Sequence, residues 1–281
     1  MATPLGRRET REILARHGLK PKTALGQHFL VDPNTIMRVV ELAGVQPGEQ
    51  VLEVGPGLGT LTIALQSVGA RVIAVEHDRG LQPALEEVLL GRDRITIVWG
   101  DAMTVDLRAL LRGLPTKLVA NLPYNISVPL LMHVLEEIPQ IDECTVMVQR
   151  EVADRVVAKP GTDPYGAVSA KIAYLADAAV VFKVSRRVFM PEPAVESVVL
   201  SIRRRDKPPV AGIKDRIFGV IDAGFAQRRK TIRAALRNAG LDPSRIEEAL
   251  EIAGITGETR AERLGLEQFA AIASVLRVPR R

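Results

Sequence analysis

The amino-acid sequence predicts an α/β fold: a mostly parallel sheet with helices on both faces, followed by a small all-α domain. Three observations predict it. Short apolar runs alternate with helix-like spacing from Val51 to Val148, the pattern that parallel βαβ units require. Glycine-rich and polar residues fall at the carboxyl ends of those runs, where open α/β sheets hold their ligands. After the linker-like Arg203-Arg204-Arg205-Asp206-Lys207-Pro208-Pro209, the strand pattern gives way to helical spacing broken at Gly240, Gly254 and Gly265. The predicted domains are therefore 1–205 and 206–281.

The elements follow in order. Asp32-Pro33 is an N-cap with Pro at the first helical position and opens a helix through Leu42. Val51–Val54 is the first strand and Leu58–Val68 its helix; Val72–Val75 is the second strand and Leu81–Leu90 its helix. Ile95–Val98, Leu118–Ala120 and Thr145–Val148 supply the third, fourth and fifth strands. Val180–Val184 and Ser197–Ile202 are β-rich runs that close the sheet as an antiparallel pair, and Ile213–Val278 forms the small helical domain.

Composition narrows the function classes. A chain of 281 residues with 47% hydrophobic content can bury a sizeable core. The net charge of +5 favours a polyanionic partner, although excess Arg is also common on plain soluble proteins. The single cysteine, Cys144, excludes an internal disulfide and any multi-cysteine metal site, and reads as a small core residue. Residues 1–20 are rich in Arg and carry no apolar signal core. Leu118–Leu135 lacks formal charge, but Asn121, Pro123, Asn125, Pro129 and His133 interrupt it as a membrane span. A cytoplasmic monomer without membrane attachment is the expectation.

Four strand ends carry chemistry. Glu53-Val54-Gly55-Pro56-Gly57-Leu58-Gly59 follows the first strand, and its glycines allow close backbone approach to a ligand. Thr60 stands where a dinucleotide loop needs its third small residue, so G-x-G-x-G suits a ligand without a pyrophosphate. Glu76 ends the second strand, where a carboxylate can accept both hydroxyls of a ribose; a solvated strand-end charge is the plainer alternative. Asp101, after the third strand, can accept from an adenine amino group. After the fourth comes Asn121-Leu122-Pro123-Tyr124. Asn121 offers a carbonyl acceptor, Pro123 has no N–H to compete, and Tyr124 offers a face on which a base can stack. Together these describe a nucleoside pocket beside a grip for a flat, amino-bearing ring.

With these residues in place, the chain resembles the ribosomal RNA adenine N6-dimethyltransferases, above all their bacterial small-subunit members. The matching segments span most of the chain: Lys22–Leu30, Glu53–Gly59, Gly100–Met103, Asn121–Ser127, Gln149–Val152, Phe189–Pro193 and Phe225–Arg233. The resemblance implies a Rossmann-like class I fold using S-adenosyl-L-methionine, with S-adenosyl-L-homocysteine as product and no metal. It implies cofactor contacts at His28, Leu30, Gly55, Glu76, Asp101 and Asn121, with Gly57 in the same turn. It further implies transfer to two adjacent adenosines in a hairpin loop near the 3′ end of 16S rRNA, during small-subunit biogenesis. Phe189 would be a second aromatic wall for the target base. The sequence departs from the family at His28, often Asn, and at Glu192, often Pro.

The expected chemistry is positioning. The adenine amine is a poor nucleophile, and two acceptors on its hydrogens, the Asn121 side chain and a backbone carbonyl near Leu122, would aim its lone pair at the methyl group. No Ser/His/Asp or metal-ligand spacing calls for anything else. Orientation can supply up to roughly 7–11 kcal/mol, and stacking of an unstacked base on Tyr124 and Phe189 about 1–3 kcal/mol per contact. For the RNA, Arg228, Arg229, Lys230, Arg233 and Arg237 fall within ten residues without an acid, with 229, 233 and 237 on one helical face. A solvated basic face is the commoner reading of such a run; the resemblance favours phosphate binding. Two alternatives remain open: a large-subunit enzyme of the macrolide-resistance type, and a binding factor that keeps the pocket without catalysis. A DNA adenine methylase would more usually carry Pro where Leu122 stands.

Overall fold

A computed structural model describes residues 4–22, 26–227 and 229–278. In chain order the elements run α1 (Arg7–Arg16), β1 (Phe29–Leu30), α2 (Pro33–Ala43), β2 (Gln50–Val54), α3 (Thr60–Ser67), β3 (Arg71–Glu76), α4 (Gln82–Leu89) and β4 (Ile95–Trp99). There follow α5 (Leu107–Leu110), β5 (Thr116–Asn121), α6 (Ser127–Glu137), β6 (Ile141–Gln149), α7 (Arg150–Val156) and α8 (Ala167–Leu175). The chain continues through β7 (Ala176–Val184), β8 (Phe189–Met190) and β9 (Ser197–Arg204) to α9 (Lys214–Phe225), α10 (Ile232–Asn238), α11 (Pro243–Ile252) and α12 (Leu266–Val275).

Seven strands make one sheet in the order β4-β3-β2-β5-β6-β9-β7. The pairs β2–β3, β3–β4, β2–β5 and β5–β6 are parallel, and β9 runs antiparallel to β6. The chain builds outward from β2 through β3 to β4, then returns so that β5 lies on the other side of β2. This reversal leaves a crevice at the carboxyl ends of β2 and β5. A separate antiparallel ribbon joins β1 to β8, with Leu30 opposite Phe189.

The predicted strands are nearly continuous apolar runs because both faces of the sheet are covered. On one face, Ile36, Val39 and Val40 of α2 and Leu61 and Leu65 of α3 share a core with Val51, Val72, Val119 and Val199. Helix α2 starts as its sequence predicts: the Asp32 side chain accepts from Thr35 N at 2.9 Å, and Pro33 takes the first position. It ends at Gly44, whose φ of 57° suits glycine. The Arg-rich N-terminal stretch, read from the sequence only as lacking a signal core, folds into α1. Ile13 and Leu14 pack there with Phe29, Leu58 and Leu81. Among the described residues no helix is long and apolar enough to cross a membrane.

Contacts divide the chain into Met1–Ala153 with Ala179–Arg204, and Asp154–Ala178 with Arg205–Arg281. The second unit is helical, with a core that includes Phe218, Ile221, Leu236, Leu250, Phe269 and Ile272. The sequence pattern places 154–178 in the first domain, but these residues pack with the helices. Tyr174 meets Phe218 edge-on at 5.3 Å, and Tyr165 Oη donates to Leu264 O at 2.9 Å.

Candidate active site

A cavity of about 190 Å³ lies at the strand ends of the first unit. Gly55 and Gly57 after β2, Glu76 at the end of β3, Asp101 after β4 and Asn121 at the end of β5 all line it, as do His28 and Leu30. The cofactor-site residues expected from the sequence are thus brought to one place. Gly55 and Gly57 have φ of 72° and 58°, a region that disfavours side chains. A Cβ on Gly55 would meet Pro123 at 3.2 Å, and one on Gly57 would meet the Phe29 ring at 3.1 Å. The glycine turn therefore lies directly against the Asn-Leu-Pro-Tyr segment and the N-terminal strand.

Backbone donors hold Glu76 on both oxygens: Gly57 N reaches Oε2 at 3.0 Å and Asp78 N reaches Oε1 at 2.8 Å. Burial nevertheless raises its pKa above the ordinary carboxylate value, against the pull of those two bonds. A carboxylate has lone pairs beyond these two, so hydroxyls of a ligand can still be accepted. Asp101 Oδ1 caps its own turn by accepting from Met103 N at 2.9 Å. Glu53, also in the lining, is buried, and loss of solvent pushes its carboxyl up to about 8; Thr62 Oγ1 donates to it at 2.6 Å.

The N-terminal segment is fastened onto this site through Asp78. Lys22 Nζ and Gln27 Nε2 reach its two oxygens at 2.8 and 2.7 Å. Burial works to raise the Asp78 pKa, but these hydrogen bonds outweigh it and hold the group below its ordinary value. The sequence reading missed Glu53, Asp78 and Phe29 as parts of the site. Glu53 stood inside the glycine motif, but nothing local signals that Lys22 and Gln27 reach Asp78, two residues after β3.

Asn121 Nδ2 donates to His28 O at 3.2 Å. That bond fixes the carboxamide and leaves Oδ1 as its unengaged acceptor among the described residues. Leu122 is buried; its N–H is bonded to Met147 O at 3.1 Å, while its carbonyl accepts nothing from the described residues. Pro123 lines the cavity. Tyr124 is half-buried beside it, stacked on the His28 ring at 5.4 Å and 27°, with its hydroxyl 3.4 Å from Ser197 Oγ. His28 Nδ1 lies 2.8 Å from Pro191 O, so this residue joins the cavity to the 189–193 loop.

Two expectations need correction. Phe189 is not an aromatic wall of the cavity: it is 0% exposed, in the core with Ile36 and Val40, because its pairing with Leu30 turns its side chain into the sheet packing. The basic residues do not form one helical stripe either. Thr231 caps α10, so the helix begins at Ile232 and Arg229 and Lys230 precede it. Arg233 is held by Glu247 at 2.8 Å and Glu258 at 2.7 Å, and Arg237 lies 3.7 Å from Glu247. Arg229 and Lys230 instead line a depression of the helical unit with Arg155, Arg260 and Arg263. Arg228 lies outside the described residues. Cys144 is a buried core thiol, pushed up to about 12 by burial. Among the described residues no His, Cys, Asp or Glu cluster could hold a metal.

A reversed strand order with nucleoside-type acceptors around one crevice and an amine grip beside it places the chain among the Rossmann-like methyltransferases. Comparison with known proteins narrows the class. The model of the family described as "Ribosomal RNA adenine dimethylase" matches residues 18–277, and the chain belongs to that family. It is 46% identical over 286 aligned positions to "Ribosomal RNA small subunit methyltransferase A" of Moorella thermoacetica, covering 98% of each chain. It is 45% identical to the protein of the same name from Streptomyces avermitilis, covering 96% of this chain and 92% of that one. Among solved structures it is similar to the 23S rRNA methyltransferase ErmE at 31% identity and a TM-score of 0.66, covering 88% of this chain and 99% of that one. A dimethyladenosine transferase from Plasmodium falciparum shares the fold at a TM-score of 0.70 and 22% identity, covering 87% and 96%.

Proposed function

We propose that the protein dimethylates the N6 amino groups of two adjacent adenosines in a hairpin loop near the 3′ end of 16S rRNA, in the cytoplasm, as a monomer engaged in small-subunit biogenesis. The observation that carries the transfer chemistry is the Asn121 carboxamide. Its N–H is tied to His28 O, so among the described residues its oxygen is an unengaged acceptor in the cavity that Gly55, Glu76 and Asp101 also line. The names of the relatives at 46% and 45% identity support the small-subunit substrate.

The cavity suits S-adenosyl-L-methionine. Among the described residues its lining holds Glu53, Glu76, Asp78 and Asp101 and no Lys or Arg, a set of acids that would repel a pyrophosphate and welcome a cation. Glu76 would accept the ribose hydroxyls and Asp101 the adenine amine, while the glycine turn lets the backbone approach. When bound, this nucleoside supplies a methyl group already activated by its sulfonium. The protein's part is then to orient the acceptor. Asn121 Oδ1 and the Leu122 carbonyl take the two hydrogens of the target amine, which favours a pyramidal nitrogen and aims its lone pair. Tyr124 stacks the base taken out of the RNA, and Pro123 contributes a wall without a competing N–H. Such orientation is worth up to roughly 7–11 kcal/mol.

For the RNA, the helical unit offers Arg155, Arg229, Lys230, Arg260 and Arg263 around one depression. With Arg233 held by two carboxylates, and Arg237 and Arg260 each 3.7 Å from one, Arg155, Arg229, Lys230 and Arg263 are the better phosphate contacts, and Arg228 adjoins Arg229 in sequence.

The test is to incubate the protein with methyl-labelled cofactor and, separately, immature small subunits, naked 16S rRNA, large-subunit RNA and duplex DNA, and to map the modified bases. Two neighbouring dimethyladenosines in small-subunit RNA are expected. Label confined to large-subunit RNA would establish the second reading, for which the 31% identity to ErmE speaks. Cofactor binding without label on any substrate would favour a non-catalytic binding factor.

A further inference from the structure

One ionisable side chain in the cavity has no part in the chemistry above. Glu53 is 2% exposed, lies on β2 just before the glycine turn, and lines the cavity. Its hydrogen-bond partner is a single hydroxyl, Thr62 Oγ1 of α3. The titratable groups around the same cavity come from each neighbouring segment: Glu76 from β3, His77 and Asp78 after it, Asp101 after β4, and His28 from the N-terminal segment. Of these, Glu76 is the one that acts on Glu53, and it carries the same sign. Lys22 is engaged by Asp78 at 2.8 Å. A buried carboxylate with another carboxyl nearby and no cation beside it among the described residues takes up a proton rather than keep its charge.

We infer that Glu53 is a charge-sensing positioning residue: neutral in the cofactor-free enzyme, it loses its proton to solvent when a sulfonium nucleoside enters, and regains one when the methyl has left and a thioether remains. The O–H bond of the carboxyl breaks on entry, its electron pair stays on the carboxylate, and the proton goes to water; product formation reverses the step. The direction agrees with burial having pushed this group up to about 8. The cavity would thereby hold the cation as an ion pair and the neutral product without one, which favours product release. The inference rests on reading this cavity as the cofactor site.

The experiment is calorimetric binding of S-adenosylmethionine and of S-adenosylhomocysteine in buffers of different ionisation enthalpy, using wild type and Glu53→Gln. Because the ligand's amino group also titrates, the informative quantity is the difference between the two proteins. At pH 7 the wild type should release roughly 0.8 proton more than E53Q on binding the sulfonium, and nearly none more on binding the thioether. Relative to E53Q, the wild-type dissociation constant for the sulfonium should fall about six-fold between pH 6.5 and 7.5. Equal proton release in the two proteins would overturn the inference while leaving the cofactor site intact. If neither nucleoside binds, both readings fail. Should E53Q not fold, infrared difference spectra of the wild type decide: the band of a protonated carboxyl should vanish with the sulfonium and remain with the thioether, and its persistence with both would contradict the proposal.

Discussion

The strand-end cavity and the depression in the helical unit are opposites in charge within one chain. Among the described residues the first is lined by Glu53, Glu76, Asp78 and Asp101 with no Lys or Arg. The second gathers Arg155, Arg229, Lys230, Arg260 and Arg263 against Asp163 and Glu262. A net charge of +5 describes neither. Under the proposed function each region would serve a different part of one reaction: the acidic cavity a cationic nucleoside, and the basic depression a polyanion. A whole-chain charge averages over such regions, and only the local figures bear on recognition.

The comparison can be broken or sharpened by substitutions that touch one region alone. The largest effect is expected at Asn121. Asn121→Ala should lower the single-turnover methylation rate by about 10²–10³-fold, while filter binding shows RNA affinity within a few-fold. A matching loss of RNA affinity would remove the separation between the two regions. Next comes Glu76→Ala, which strips the partner from two backbone N–H groups. A cost of about 2–3 kcal/mol in cofactor binding, some 30- to 150-fold in Kd by calorimetry, is expected with RNA binding unchanged.

On the basic side, the pair Arg229→Ala and Lys230→Ala should weaken RNA binding about ten-fold and lower the salt slope of binding by about 2, leaving cofactor affinity untouched. A pH effect on stability belongs to the acidic side. The folded-state pKa of Glu53, about 8, lies above its ordinary 4.5. The folded chain therefore holds a proton that the unfolded chain gives up, and that stabilisation is complete below 4.5 and lost as pH rises through 8. Thermal melts of the cofactor-free protein should show Tm falling from pH 5 to 8, with E53Q flattening the slope. The smallest effect is expected for Arg233→Ala. Its partners are Glu247 and Glu258, so RNA affinity should move less than about two-fold, with the change appearing in the melt instead. A large loss of affinity would restore the helical stripe as the RNA contact.

Much of the fold could be read from the sequence because parallel strands buried on both faces leave a strong local signal. Val51–Val54, Val72–Val75 and Leu118–Ala120 are strands in the structure, and the strand-end residues Gly55, Glu76, Asp101 and Asn121 meet because β5 returns beside β2. What failed depended on remote partners. Phe189 looked like a base wall by resemblance, yet a two-residue pairing with β1, 159 positions away by the register Leu30↔Phe189, turns it into the core. Helical spacing put 229, 233 and 237 on one face, but the Thr231 cap starts the helix late, and the acids that claim Arg233 lie on α11 and beyond it. No local pattern announces that Lys22 and Gln27 share Asp78. Segment 154–178 likewise shows its allegiance only through remote partners, among them Leu264 for Tyr165, Phe218 for Tyr174 and Asp222 for Lys171.

The most direct measurement is a crystal structure of the protein with S-adenosylhomocysteine and a short RNA carrying the target adenosine. The expected arrangement has the cofactor ribose on Glu76, its adenine amine at Asp101, and the target N6 within hydrogen-bond distance of both Asn121 Oδ1 and the Leu122 carbonyl. A cofactor bound outside the glycine turn, or a target amine facing away from Asn121, would contradict it.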